Sequence, residues 1–389
     1  MNRSQRTGLN RGPTSADVAQ RAQVSRTTVS FVLNGITDRG ISQATCQRVL
    51  QAARELGYEP HAAARMLAGG ATGTVALVLP SLAHLHVDAF LAQLLASINA
   101  QCHQHGLRLL IESTEGAGRE PGDFVQLVRS RRIDGLILAH LRTAELAHVQ
   151  QLIESGLPLV VLGCGLPEVS PRHAMGDDTA QSAQLAVQHL IGLGHRAIGF
   201  VNYASTEFHA AAQREAGWRN ALAQHGIDAP AHWLARGDFS AESGWRATRA
   251  LLARRPGITA LFAGNDTIAF GALQAIQQAG LRVPQDVAVV GYDDIPLAAF
   301  ATPPLTTVHS DPQGHGAQAL SLLRAQMGDS GASAALAPDR VPQLVPQLVP
   351  HLVQRQSCGA PAQAQTPASS SAQPPAPAPA PVAGPAQKL

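Results

Sequence analysis

The sequence predicts a small all-α head joined to a doubly wound α/β body, followed by a tail that has nothing to bury. Three observations carry this. Residues Thr14 to Gly35, TSADVAQRAQVSRTTVSFVLNG, read as two short helices with a tight turn between them. From Thr74 onward, short apolar runs alternate with amphipathic stretches, the pattern of parallel sheets covered on both faces. Residues 358–389 are mostly Ala, Pro, Ser and Gln with almost no charge, and are expected to be disordered.

In the head, Thr14 is placed to cap the first helix, with Asp17 three residues on as the acidic half of a capping box. Val18, Ala19 and Ala22 form its apolar stripe. Gln23-Val24 makes the turn, and Ser25 caps a second helix over 26–34, which Gly35 stops. Val29, Val32 and Leu33 share one side of that helix. Arg26, Thr27, Ser30 and Phe31 share the other and point away from the support, as a helix entering a DNA major groove must. A third helix over 42–56 is expected to close the core with Ile41, Val49, Leu50 and Ala53. Pro60 then opens an Ala-rich segment, His61 to Ala68, too short to be a stable helix alone. Residues 1–13 read as a flexible leader to the head.

The body is expected to place strands at 75–80, 107–113, 133–139, 157–163, 197–203, 260–265 and 287–294. Helices are expected near 89–105, 123–131, 144–155, 181–193, 211–225, 241–254 and 266–279. About nine such units exceed one ordinary doubly wound domain, so more than one sheet is implied. Ligands then belong at the carboxyl ends of the strands, in the crevice between lobes. A tandem repeat, VPQL-VPQL-VPHL, fills 341–352; its prolines allow at best a place on a sheet edge.

Composition narrows the function. Hydrophobic residues make up 45% of the chain without any long apolar run, which excludes a membrane span. The N-terminus is basic but has no apolar stretch behind it, so it does not read as a secretory signal and a cytoplasmic protein is expected. The four cysteines form no CxxC pair, which argues against a disulfide framework or structural metal. Residues 1–70 hold nine arginines against four acids, whereas the remainder carries a slight acidic excess. A basic head on a mildly acidic body is the footprint of a DNA-binding domain joined to something else. Nothing resembles a nucleophile elbow, a Walker loop or a zinc motif, so neither an enzyme nor a cofactor is expected.

Together DVAQRAQVSRTTVSFVLNG, RVLQAARELGYEPHAAARMLAGG, HLIGLGHRAIGFV, REAGW, GNDTIAFGALQAIQQAGLRVPQDVAVVGYDD and PPLTTV resemble the LacI/GalR family of bacterial transcription regulators. The resemblance covers residues 14 to about 357. It implies a helix-turn-helix domain at 14–59, a hinge helix and linker at 60–70, and a two-lobed body at 71–357. The body would resemble periplasmic sugar-binding proteins, with crossings near Leu193–Gly194, Thr306–Asp311 and 328–338. In the head, Arg26 and Thr27 would read base edges, with Ser30 and Phe31 beside them. Thr14, Ser25, Thr28, Asn34 and Thr45 would hold phosphates. Tyr58, His61 and Ala64 belong to the implied hinge contact, where Leu67 would wedge a base step open in the minor groove.

In the body, the resemblance carries over Arg214, Asn265, Asp266 and Asp293 as ligand contacts, with Asp178 and Phe239 as weaker ones. Relatives commonly read PDLSNPFF after the first strand, with an aromatic facing the ligand. Here Pro80 to Val87 reads PSLAHLHV, so the aromatic platform is expected to be lost, and Ser81, His84 and His86 become the contacts. Two histidines at that spacing have no third ligand, so no metal is expected. The implied protein is a homodimer that binds double-stranded, pseudo-palindromic operator DNA, answers to a sugar or related metabolite, and touches no membrane. The alternative from the fold is a small-molecule binding protein without regulatory DNA binding; a transport-type one would need a secretion signal and lack the basic head.

Overall fold

The computed structural model describes residues 13–33, 40–58, 71–114, 122–130, 132–163, 166, 169–176, 179–254, 257–328 and 349–359. Asn34, His61, Ala64, Leu67 and Asp178 lie outside these, as do most of the repeat, the first twelve residues and the chain from 360 on.

The head is three helices: α1 (Ser15–Ala22), α2 (Arg26–Leu33) and α3 (Gln43–Leu56). Its core is Val18, Ala19, Ala22, Val29, Val49, Ala52 and Ala53, with Val32, Leu33 and Tyr58 packed at the margin. Leu50, expected in this core, is 43% exposed, and Ala52 takes its place. The α3 residues that face α1 and α2 are Val49, Ala52, Ala53 and Leu56, and the i, i+3 spacing from Val49 turns Leu50 outward. Gly57 ends α3 at φ 62°, a left-handed cap that glycine adopts without steric cost.

The body opens with β1 (Thr74–Leu79), α4 (His84–Val87), α5 (Ala89–Gln104), β2 (Arg108–Ser113) and α6 (Phe124–Arg129). It continues through β3 (Gly135–Ala139), α7 (Leu146–Glu154), β4 (Leu159–Leu162) and β5 (Ala174–Met175). These strands form one parallel sheet in the order β2-β1-β3-β4-β5. The second half runs α8 (Thr179–Gly192), β6 (Ile198–Asn202), α9 (His209–Gln224), β7 (Leu234–Arg236), α10 (Ala241–Ala253), β8 (Ala260–Ala263) and α11 (Asp266–Gln278). It ends with β9 (Ala288–Asp293), β10 (Thr306–His309), α12 (Pro312–Gln326) and β11 (His351–Val353). Its sheet is β11-β10-β9-β8-β6-β7, parallel except for β11, which pairs antiparallel with β10. So the last repeat unit does reach a sheet edge, where a proline-rich segment costs least.

The crossings differ from expectation at the first point. Ala183, Ala186, Val187 and Leu190 of α8 pack with Phe200 and Val290 of the second sheet and Trp218 of α9. The chain therefore changes lobes between Met175 and Thr179, before α8, and not at Leu193–Gly194. The second crossing follows β10, because Ala319, Leu320 and Leu323 of α12 return to pack on Val75, Leu77 and Ile98 of the first lobe. The third falls between α12 and β11, mostly outside the described residues. Cys358, assigned to the tail, is buried, with its thiol against His189 Nε2 at 3.2 Å and Thr306 Oγ1 at 3.1 Å.

Candidate DNA-reading head and ligand cleft

The head presents its second helix as expected. The Thr14 and Asp17 pair closes a capping box on α1. Ser25 Oγ accepts the Thr28 N–H at 3.1 Å at the start of α2, and Ser42 Oγ accepts the Thr45 N–H at 3.2 Å at the start of α3. Four of the residues assigned to phosphates, Thr14, Ser25, Thr28 and Thr45, thus lie at helix N-termini, where backbone donors favour an anion. Arg26 and Thr27 are exposed, Ser30 and Phe31 are half-buried, and Val29 on the opposite side is 1% exposed. Tyr58 packs against the core margin.

The cleft lies where the carboxyl ends of both sheets meet. From the second lobe, Arg214 on α9 reaches Asp293 at the end of β9, with Nη2 to Oδ1 at 3.6 Å. Its Nη1 donates to the Gly264 carbonyl. The guanidinium carbon sits 3.7 Å from the Tyr292 ring centroid and 4.5 Å from that of Tyr203. Asn265 caps α11, accepting the Ile268 N–H at 2.7 Å, and lines the same wall. From the first lobe come Phe90, Asp88 and His140, the last following β3. Asp88 caps α5 through Oδ1, which accepts the Phe90 and Leu91 N–H groups at 3.1 and 3.3 Å. His140 Nε2 stands 3.9 Å from Asp88 Oδ2.

Burial dominates the electrostatics of this site. It pushes Asp88 up to about 6 and holds Asp293 well above the carboxylate range, with Arg214 pulling both back. It also drives His140 down to about 3, helped by repulsion from His84 and Arg214, so that imidazole is neutral. Burial opposes the charge on Arg214, but Tyr203, Tyr292, Asp293 and Asp88 outweigh it and raise its pKa. His140 at φ 55° and Asp293 at φ 114° hold backbone that L-residues rarely adopt, a cost that concentrates at binding sites.

Of the residues assigned to the ligand, Arg214, Asn265 and Asp293 line the cleft together. Asp266 does not: it is fully buried behind the wall, where its Oδ1 accepts from the Thr307 hydroxyl at 2.6 Å and its Oδ2 from the Ile295 N–H at 2.9 Å. Ser81 turns inward on its own loop to accept the Ala83 N–H, and His86 is exposed. His84 stacks on Phe239 across the lobes, ring centroids 4.0 Å apart, so the two faces cover each other instead of lining the cleft. The aromatic platform is not lost. The short turn α4 follows β1, Asp88 caps α5, and Phe90 two residues on lines the cleft. Sequence reasoning also missed Asp88, His140, Tyr203 and Tyr292. The signal for His140 and Tyr203 was their place just past strand ends, and Tyr292 stands inside the quoted VVGYDD.

An exposed recognition helix on a basic head, joined to a two-lobed body that closes around a polar cleft, defines a ligand-responsive DNA-binding regulator. The model described as "Bacterial regulatory proteins, lacI family" matches residues 14–61, and that described as "Periplasmic binding protein-like domain" matches 187–358. The HTH-type transcriptional repressor PurR of Photobacterium profundum is 32% identical over 316 residues, 81% of this chain and 92% of that protein. The ribose operon repressor of Haemophilus influenzae is 35% identical over 295 residues, 76% of this chain and 86% of that protein. The Lac repressor dimer bound to operator and the anti-inducer ONPF superimposes with a TM-score of 0.73 at 29% identity, covering 90% of this chain and 100% of that one. The CelR–cellobiose complex gives 0.62 at 31% identity, covering 89% and 99%. The chain belongs to the LacI family and is a DNA-binding transcriptional regulator. Among the described residues no helix is long and apolar enough to cross a membrane.

Proposed function

We propose that the chain is a homodimeric repressor of the bacterial cytoplasm that binds a pseudo-palindromic operator and changes its grip when a small hydroxylated metabolite fills the cleft. The arrangement of Arg214, Asp293 and Asn265 carries this reading. Together they offer paired donors and acceptors at the point where the two lobes meet, as recognition of vicinal hydroxyls requires. The head at 14–59 reads the half-sites through Arg26 and Thr27, and Tyr58, His61, Ala64 and Leu67 serve the operator centre. Two-fold symmetry of the operator follows from a pair of heads held at fixed spacing. No catalytic step is part of this function. Ligand acts only through its different affinity for the open and closed lobes.

A mobility-shift titration on the promoters of its own and adjoining genes tests the reading. A salt-sensitive complex with one of these duplexes is expected. Arg214→Ala should form the same complex but lose the response to any metabolite that shifts the wild type. A chain that ignores every duplex at low salt overturns the proposal.

A further inference from the structure

We propose that the metabolite recognised in the cleft carries a protonated primary amine on a hydroxylated body, an amino sugar in chemical class, and that Asp88 is the residue that selects it. The inference rests on the reading of the cleft as the effector site.

The cleft has two poles. At the second-lobe pole Asp293 already stands beside Arg214, with Oδ1 3.6 Å from Nη2. At the first-lobe pole Asp88 feels the Arg214 charge but makes no contact ion pair with it. Its residue is 3% exposed, its Oδ1 is occupied by two backbone N–H groups, and among the described residues no hydrogen-bond donor reaches Oδ2. The only ion-pair contact it makes among those residues is His140 Nε2 at 3.9 Å, and that ring is neutral. A carboxylate taken out of water without a cation in contact is costly, and removing that cost is what a ligand ammonium would do. An anionic group fits neither pole, because Asp293 flanks Arg214 and Asp88 faces it. A hydroxylated body fits the Arg214 pole. Among the described residues no cluster is suited to hold a metal there instead.

The test is thermal shift of the purified full chain with glucosamine, galactosamine and mannosamine, each against its neutral parent hexose. It is run on wild type and Asp88→Asn at pH 7.5, and on wild type again at pH 5. Asparagine retains a side-chain acceptor for the N-terminus of α5, so the fold keeps its cap. At least one amino sugar should bind about tenfold more tightly than its parent, seen as a larger shift at matched concentration. That preference should vanish in Asp88→Asn. It should also shrink at pH 5, below the value of about 6 to which burial lifts Asp88, because the protonated carboxyl no longer pairs with an amine. The other titratable or charged groups lining the cleft are Arg214, Asp293, His140, His209, His315, Tyr203 and Tyr292; the Asn variant separates their titration from that of Asp88. Equal shifts from amine and parent, a preference that survives Asp88→Asn, or no shift from any amino sugar each overturn the proposal. Operator binding measured without sugar is a separate readout, so these failures are distinguishable from failure of the regulator itself.

Discussion

Asp266 permits a direct test of how the second lobe is held. It opens α11 with no exposure to solvent, and its two oxygens accept from Thr307 and Ile295. Burial lifts its pKa from the usual 3.8 to about 7, against the pull of those two bonds; Asp294 adds to the rise and Arg355 opposes it. A carboxyl whose pKa rises on folding is stabilising while protonated. Its contribution is therefore complete below about pH 4 and is lost as pH climbs through about 7. A gap of about three pH units corresponds to roughly 4 kcal/mol. Asp266→Asn removes the titration and keeps one carbonyl oxygen for the donors around it. Urea unfolding of both proteins at pH 4.5, 6 and 8 should show the stability of wild type relative to the variant falling by about 3–4 kcal/mol across the series. Asp88 shifts in the same direction but is common to both proteins and cancels in the difference, whereas Asp293 feels the Asp266 charge and cancels only in part. A difference that stays level to within about 1 kcal/mol would refute the assignment of this proton to Asp266.

Other expectations are independent of that one. Arg26→Ala should cost about 1–3 kcal/mol in operator binding while leaving non-specific binding nearly intact, which fluorescence anisotropy on specific and scrambled duplexes would check. A Cβ at Gly271 would stand 1.9 Å from the Ala241 carbonyl oxygen and 2.5 Å from the Trp245 nitrogen, where α11 crosses α10. Gly271→Ala should accordingly lower stability by about 1–3 kcal/mol or more, read from the melting temperature. Leu297 and Phe300 are 61% and 83% exposed on the 3₁₀ turn Pro296–Phe300, three residues apart and so on one face. Phe300→Ser should leave the fold intact and shift the protein from dimer to monomer in sedimentation; an unchanged dimer would remove this patch from the interface.

The periodic parts of the chain were legible because their signals are local. Capping residues marked the first two head helices, and apolar runs such as 75–80 and 287–294 marked buried strands. What escaped were short strands whose stability comes from neighbours, and the fifteen-residue helix α12. The three-residue strand β7 and the two-residue strand β5 carry no pattern of their own. The misplacement of the first crossing has a similar cause. An amphipathic helix such as α8 announces that it packs, but not against which sheet. The cleft was half readable. Arg214, Asn265 and Asp293 stand in recognisable motifs, but Asp88 and His140 become a pair only when the ends of β1 and β3 are brought side by side. Asp266 and Phe239 show the reverse: the first is consumed by Thr307 and Ile295, the second by His84. No spacing in the sequence announces either partner.

The return of α12 to the first sheet binds the histories of the two halves together. Ser97 donates to the Gln313 carbonyl at 2.7 Å, and the Gln326 amide spans Leu159 and Arg172, contacts separated by well over a hundred residues. Leu320 and Leu323 complete a core begun by Val75 and Leu77. During synthesis the earlier half must wait, with its apolar face uncovered, until the ribosome has passed residue 326. A fragment cut before Pro312 would lack that helix and should aggregate, so neither half can be expressed as an uninterrupted piece of the gene.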